Sequence, residues 1–259
     1  MTKSISLSKR DKIAEIKFAR PNRMNAIYKD MLDTLHDTLF NLSQDSQIRV
    51  VILSGEGKAF SAGVDLRELD QKDAESMSGG FDQLNIAAER VSSLMEESPK
   101  VIIAKINGYC FTGALEIALA ADLLYAADEA KLGDTHAILG YRPTWGLTQR
   151  LPKKIGIMRS KELSFTAKTI SGLEAKRLGL VLESFPLNEL DDSVESIAKM
   201  ISDNSPYSIS AYKDLYRASE NMGLSDGLEY EKNTQYDIPD VEERVKKFLH
   251  DLKGKSNEK

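Results

Sequence analysis

The sequence predicts an α/β fold with a helical C-terminal region, and three observations predict it. Apolar runs that read as strands alternate with segments whose apolar residues recur at helical spacing. From about Leu147 the pattern becomes nearly all helical. No stretch rich in Pro, Gly or Ser separates the two parts, so they read as one core, residues 1–200, with a helical region, residues 201–259, packed on it or on a neighbouring subunit.

The elements follow in chain order. Ile5 and Leu7 alternate with polar residues, KRDK makes a turn, and Ile13 to Phe18 resumes the alternation, which together predict a hairpin ending at Pro21. Met31, Leu35, Leu39 and Leu42 mark an amphipathic helix, and RVVILSG (Arg49 to Gly55) is the buried strand after it. A helical stretch around Leu84 to Met95 and the strand VIIAKI (Val101 to Ile106) make a second round. A third starts at Gly113, where GALEIALAADLL has high helix propensity and runs into the strand-like LLYAAD. Periodicity alone leaves a doubly wound sheet and a spiral of repeats equally open. Beyond Leu147, SGLEAKRLGLV starts on a Ser171 cap, and helices follow near Asp191 to Ile201, Tyr207 to Glu220 and Val241 to Leu252. The tail GKSNEK is expected to fray.

Composition narrows the function. With 41% hydrophobic and 29% charged residues the chain is neither disordered nor membrane-embedded in character. A net charge of -5 gives no basic field for nucleic acid, so a polyanionic ligand would need a local basic patch. One cysteine, Cys110, and three histidines fall short of a zinc signature or an internal disulfide, so no metal is expected. MTKSISLSKRDK lacks a signal-peptide pattern, and no run approaches a membrane span of roughly 18 apolar residues; a cytoplasmic protein is expected.

Three segments carry candidate chemistry. GKAFSAGVDLREL, residues 57 to 69, gathers small residues after a buried strand, either to let a ligand approach the backbone or merely to turn the chain. INGYCFTGALEIALAADL starts a helix at Gly113, whose N–H suits a developing anion. Glu116, in the same turn, is either catalytic or a surface carboxylate favoured by the helix dipole. In KLGDTHAILGYRPTWGLTQRL, Asp134 and His136 share a loop with Tyr141 and Trp145.

Together with RPNRMNA (Arg20 to Ala26), KAFSAGVDL (Lys58 to Leu66), NGYCFTGALE (Asn107 to Glu116) and GLTQRL (Gly146 to Leu151) resemble the enoyl-CoA hydratase/isomerase (crotonase) family in order and spacing. That family's pattern runs RPxxxNA, KAFxAGxD, NGxxxGGGxE, then a loop ending in TQRL. The resemblance implies a spiral of ββα repeats followed by helices that build homotrimers or homohexamers. It implies an acyl-CoA thioester substrate, with coenzyme A arriving as part of that substrate and no further cofactor. It also implies an enolate whose oxygen sits between the N–H groups of Val64 and Gly113, preorganised donors that favour the transition state. Arg23, Met24, Ala62, Asp65 and Leu66 would line the coenzyme A groove, although Arg23 reads equally as a solvated turn residue.

Glu116 matches the first catalytic glutamate of family hydratases. The second falls twenty positions later, where this chain has His136. A histidine exchanges protons near neutrality, with an ordinary pKa of about 6.5, and Asp134 could orient it; a wall position is the alternative. The family's PGAGGTQRL is here PTWGLTQRL, which brings Trp145 and, nearby, Tyr141 to the acyl pocket or to the core. The leading expectation is hydration of a 2-enoyl-CoA. The alternatives are isomerisation, decarboxylation or carbon–carbon hydrolysis on the same scaffold, or a catalytically silent acyl-CoA binder.

Overall fold

The computed structural model describes residues 4–67 and 82–256. Glu68 and Leu69, which end the GKAFSAGVDLREL segment, and the last three residues of the tail lie outside the described residues.

The predicted hairpin forms from β1 (Ile5–Arg10) and β2 (Ile13–Phe18), antiparallel with Ile5 opposite Phe18. Alternation decides its faces: Ala14, Ile16 and Phe18 are fully buried. Helix α1 (Lys29–Gln44) lays Met31, Leu32, Leu35, Leu39 and Leu42 into the core, as its spacing requires.

From here the chain repeats a unit. Strands β3 (Val50–Gly55) and β4 (Ala59–Ser61) precede α2 (Asp82–Glu97), and β5 (Val101–Ile106) and β6 (Tyr109–Phe111) precede α3 (Gly113–Leu119). Strands β7 (Leu123–Ala127) and β8 (Lys131–Gly133) open the next turn. With β9 (Ile170–Ser171) and β10 (Glu183–Phe185) from later in the chain, the first strand of each pair joins a six-stranded sheet of order β1-β2-β3-β5-β7-β10, and the second joins a four-stranded sheet of order β4-β6-β8-β9. Strands β2, β3, β5, β7 and β10 run parallel and step in one direction. A doubly wound sheet reverses direction at a switch point. This is the spiral.

The second sheet is absent from the sequence reading because its strands are two or three residues long, too short for an alternation to register. Close backbone approach makes it possible: a Cβ on Gly108 would lie 2.0 Å from the Lys58 carbonyl oxygen, so only glycine lets the β5–β6 corner pack on β4.

The region after Leu147 is mostly helical, with two corrections. β9 (Ile170–Ser171) pairs antiparallel with β8, and β10 (Glu183–Phe185) pairs parallel with β7. Helices α4 (Leu147–Ile155) and α5 (Ile157–Thr166) come first. Helix α6 (Gly172–Leu178) begins on the predicted Ser171 cap, which forms a reciprocal capping box with Glu174. Helix α7 (Leu187–Ser202) buries Leu190, Val194 and Ala198. Helix α8 (Pro206–Ser219) is tied to the core by the Lys213 ammonium, which donates to the Asp122 carboxylate at 2.7 Å and the Lys100 carbonyl at 2.8 Å. Helices α9 (Leu224–Asn233) and α10 (Val241–Ser256) complete the described chain, and α9 has no buried residue. Leu224, Leu228, Val245, Phe248 and Leu249 stand exposed there. Among the described residues no helix is long and apolar enough to cross a membrane.

Candidate active site

The RPNRMNA motif builds the first wall. Pro21–Arg23 form one 3-10 turn, and Met24 and Asn25 follow in the left-handed region at φ 48° and 56°. Asn25 is fully buried; its amide donates to the Glu56 and Ala59 carbonyls and its oxygen accepts from the Arg20 N–H. This side chain therefore pins the turn to the start of β4. Ala62 N–H donates to the Met24 carbonyl, Ile27 N–H to Gly63 and Asp65 N–H to Ile27, so the segment after β4 runs alongside the turn. In that parallel bridge Ile27 makes both hydrogen bonds, which leaves the N–H of Val64 directed away from it.

The Thr112–Gly113 segment sits across from Val64. A Cβ on Gly63, at φ 93°, would lie 2.2 Å from the Thr112 hydroxyl oxygen, so the Gly63–Val64 and Thr112–Gly113 segments are in contact. Thr112 is held at φ 48°, a conformation disfavoured for a β-branched residue, and Gly113 opens α3 with an N–H that has no intrahelical partner. Neither Val64 nor Gly113 donates to another backbone group among the described residues.

Glu116 lies one turn into α3 and is 1% exposed, which rules out the surface-carboxylate alternative. Its Oε1 accepts the backbone N–H groups of Trp145, at 2.9 Å, and Leu147, at 3.1 Å, where α4 begins. A buried anion thus caps the N-terminus of a second helix. The other oxygen, Oε2, is 3.6 Å from His136 Nε2. The imidazole is turned by Asp134: His136 Nδ1 lies 2.6 Å from Asp134 Oδ1, which also accepts the His136 backbone N–H at 3.2 Å. Asp134 is 2% exposed and stays anionic. Burial pushes its pKa up, but hydrogen bonds from the His136 ring, the Ser164 hydroxyl and the His136 backbone outweigh that and hold it below the ordinary value. Glu116 moves the other way. Burial raises its pKa further than the Leu147 and Trp145 N–H groups and the His136 charge lower it.

Trp145 is buried against Gly113. Its indole N–H donates to Asn85 of α2 at 2.8 Å, and its carbonyl accepts from the Arg150 guanidinium at 2.7 Å. Arg150, the arginine of TQRL, is in turn paired with Glu96 at 2.6 Å. Tyr141 is half-buried after the turn His136–Leu139, its N–H donating to the His136 carbonyl at 3.0 Å.

Arg23, Met24 and Leu66 are exposed and Ala62 is half-buried along the rim made by the turn and the segment after β4. The Asp65 carboxylate is 5% exposed and paired with Arg20 at 3.0 Å, so this side chain braces the rim from behind. Arg20 also donates to the Ala26 carbonyl at 2.7 Å and lies over the Tyr28 ring at 4.5 Å. Sequence reasoning missed Asn85, a polar residue on an amphipathic helix with no motif around it. It also gave Arg20, Asn25 and Arg150 no role, although the motif strings contain all three.

The model of the enoyl-CoA hydratase/isomerase family matches residues 8–257. The carnitinyl-CoA dehydratase of Salmonella enteritidis PT4 is 35% identical over 234 residues, covering 89% of this chain and 86% of that protein. The short-chain-enoyl-CoA hydratase of Clostridium acetobutylicum is 31% identical over 229 residues, covering 88% and 86%. Among solved structures, the enoyl-CoA hydratase of Bacillus anthracis superposes with a TM-score of 0.83 at 34% identity, covering 89% of this chain and 88% of that one.

Proposed function

The chain belongs to the enoyl-CoA hydratase/isomerase family, and from that premise we propose that it adds water to a 2-enoyl-CoA thioester. The observation that carries the proposal is the 3.6 Å approach of a carboxylate oxygen and an imidazole nitrogen, Glu116 Oε2 and His136 Nε2, beside the contact between the Gly63–Val64 and Thr112–Gly113 segments.

In this reading the thioester oxygen lies between the N–H groups of Val64 and Gly113, which stabilise it as negative charge builds up; such a donor is typically worth about a hundredfold or more in rate. Glu116 has one oxygen anchored by two backbone N–H groups, so the other is left to take a proton from water. The water oxygen bonds to the β carbon, the double-bond electrons move to the thioester oxygen, and protonated His136 delivers a proton to the α carbon. The proton on Glu116 then passes to His136 across the same short gap, which resets both groups. A raised Glu116 pKa suits a base working near neutrality. Asp134 holds the ring so that Nε2 faces Glu116. Coenzyme A enters with the substrate along the rim of Arg23, Met24, Ala62 and Leu66, and no further cofactor is needed.

The same reading takes residues 1–200 as the catalytic core and residues 201–259 as the region that assembles copies into a homotrimer or homohexamer. What supports it is the row of exposed apolar side chains on α9 and α10; sedimentation as a monomer would count against it. A buried free thiol at Cys110 suits a reducing, cytoplasmic setting. The decisive experiment follows loss of the enoyl chromophore of crotonyl-CoA, beside assays on 3-enoyl-CoA and malonyl-type thioesters. Turnover of one of the latter without hydration would sink the hydratase reading and favour another enolate reaction, because His136 replaces the second glutamate.

A further inference from the structure

We propose that Trp145 is the end wall of the acyl site and that Asn85 locks it there, which restricts the enzyme to short acyl groups; this rests on the acyl-CoA reading above.

The indole lies on the glycine proposed as a donor. Its Cζ3, Cε3 and Cη2 atoms are 2.5, 3.0 and 3.1 Å from where a Cβ on Gly113 would stand, so the ring edge covers the Gly113 α carbon one turn before Glu116. Every polar group of Trp145 is engaged. Its N–H donates to Glu116 Oε1 at 2.9 Å, its carbonyl accepts from Arg150 at 2.7 Å, and its indole N–H donates to Asn85 Oδ1 at 2.8 Å. The neighbouring Thr144 hydroxyl donates to the same Asn85 oxygen at 3.0 Å. The ring is 6% exposed and cannot swing aside without giving up the Asn85 bond.

With the thioester oxygen at Val64 and Gly113 and the reacting carbons at Glu116 Oε2, a tail that continues along the Gly113–Glu116 side meets this ring soon after the β carbon. Long unbranched chains should therefore gain nothing from added methylenes until the ring is removed.

The test is calorimetric binding of acetyl-, butyryl-, hexanoyl- and octanoyl-CoA to the parent, Trp145→Ala and Asn85→Ala proteins. These saturated thioesters cannot be hydrated, so the result is independent of the reaction assigned above; failure of the parent to bind any of them while coenzyme A binds would overturn that reading along with this one. The expected result is parent affinity that peaks at butyryl-CoA, and a Trp145→Ala protein in which each further methylene adds about fourfold. Asn85→Ala, which frees the indole without cutting it away, should raise the octanoyl-to-butyryl ratio several-fold. If Trp145→Ala does not fold, the Asn85→Ala ratio decides. Parent affinity that climbs steadily to octanoyl-CoA, or a ratio that the folded variants leave unchanged, refutes the wall.

Discussion

Replacing Asp134 by Asn weakens the polar contact that turns His136 toward Glu116. The contact is a 2.6 Å hydrogen bond between an imidazole Nδ1 and a carboxylate, in a pair whose side chains are 15% and 2% exposed, so solvent screens it little. Asparagine keeps an oxygen able to accept the bond and removes the charge. A hydrogen bond to a charged group is worth roughly 1.5–3 kcal/mol and a neutral one roughly 0.5–1.5 kcal/mol, so the loss is about 1–1.5 kcal/mol. If that loss falls on the transition state, kcat for crotonyl-CoA drops about 5- to 12-fold with KM little changed. The assay is a double-mutant cycle with His136→Ala: since Asp134 acts through the ring, adding Asp134→Asn to His136→Ala should cost nothing more. A loss that persists in the His136→Ala background, or a single variant as active as the parent, would refute the relay. Stability gives a separate signature. The folded pKa of Asp134 is depressed, so its contribution is present above the unfolded value of about 3.9 and is lost as pH falls through the lower folded value. Denaturant unfolding should accordingly show the Asn variant less stable at neutral pH, with the gap closing in acid below that value.

Three further outcomes follow from the geometry. Glu116→Gln should lower hydration by about 10²- to 10⁴-fold while butyryl-CoA still binds; because burial raises the Glu116 pKa above its ordinary 4.5, the acid limb of the parent's kcat/KM profile should lie above that value, and the variant should not melt lower at neutral pH. Gly113→Ala drives a methyl group to 2.5 Å from the Trp145 ring, so it should cost about 1–3 kcal/mol in thermal unfolding, and adding Trp145→Ala should recover part of that stability. Asn25→Ala strands the buried Ala59 carbonyl, the part-buried Glu56 carbonyl and the Arg20 N–H, and should destabilise by about 3 kcal/mol or more in urea unfolding, with activity lost only as the fold is lost.

The motif residues divide by what holds them in place. Glu116 and His136 drew attention through the family pattern, the first as its match and the second as its break, since the local sequence alone left Glu116 equally a surface carboxylate. Asn85 was not legible: it reaches Trp145 sixty positions away, and nothing in its own helix marks it. Asp65 entered the sequence reading only through the family resemblance, and nothing local announced that its carboxylate would answer the half-buried charge of Arg20. The second sheet went unseen for the same reason as β9 and β10. Strands of two or three residues carry no periodicity of their own and exist only because longer neighbours present open edges.

By itself the sequence determined the local elements whose signals are local: the hairpin, the amphipathic helices, the Ser171 cap and the family to which four spaced motifs belong. Periodicity left the winding open and the family resemblance implied a spiral; the tertiary structure shows it directly, since sheet order is a long-range pairing that short-range patterning cannot encode. It also decided the state of Glu116. The carboxylate is buried, with its pKa raised, only because a loop thirty residues away closes over it, binds one oxygen with the Trp145 and Leu147 N–H groups, and leaves the other beside His136.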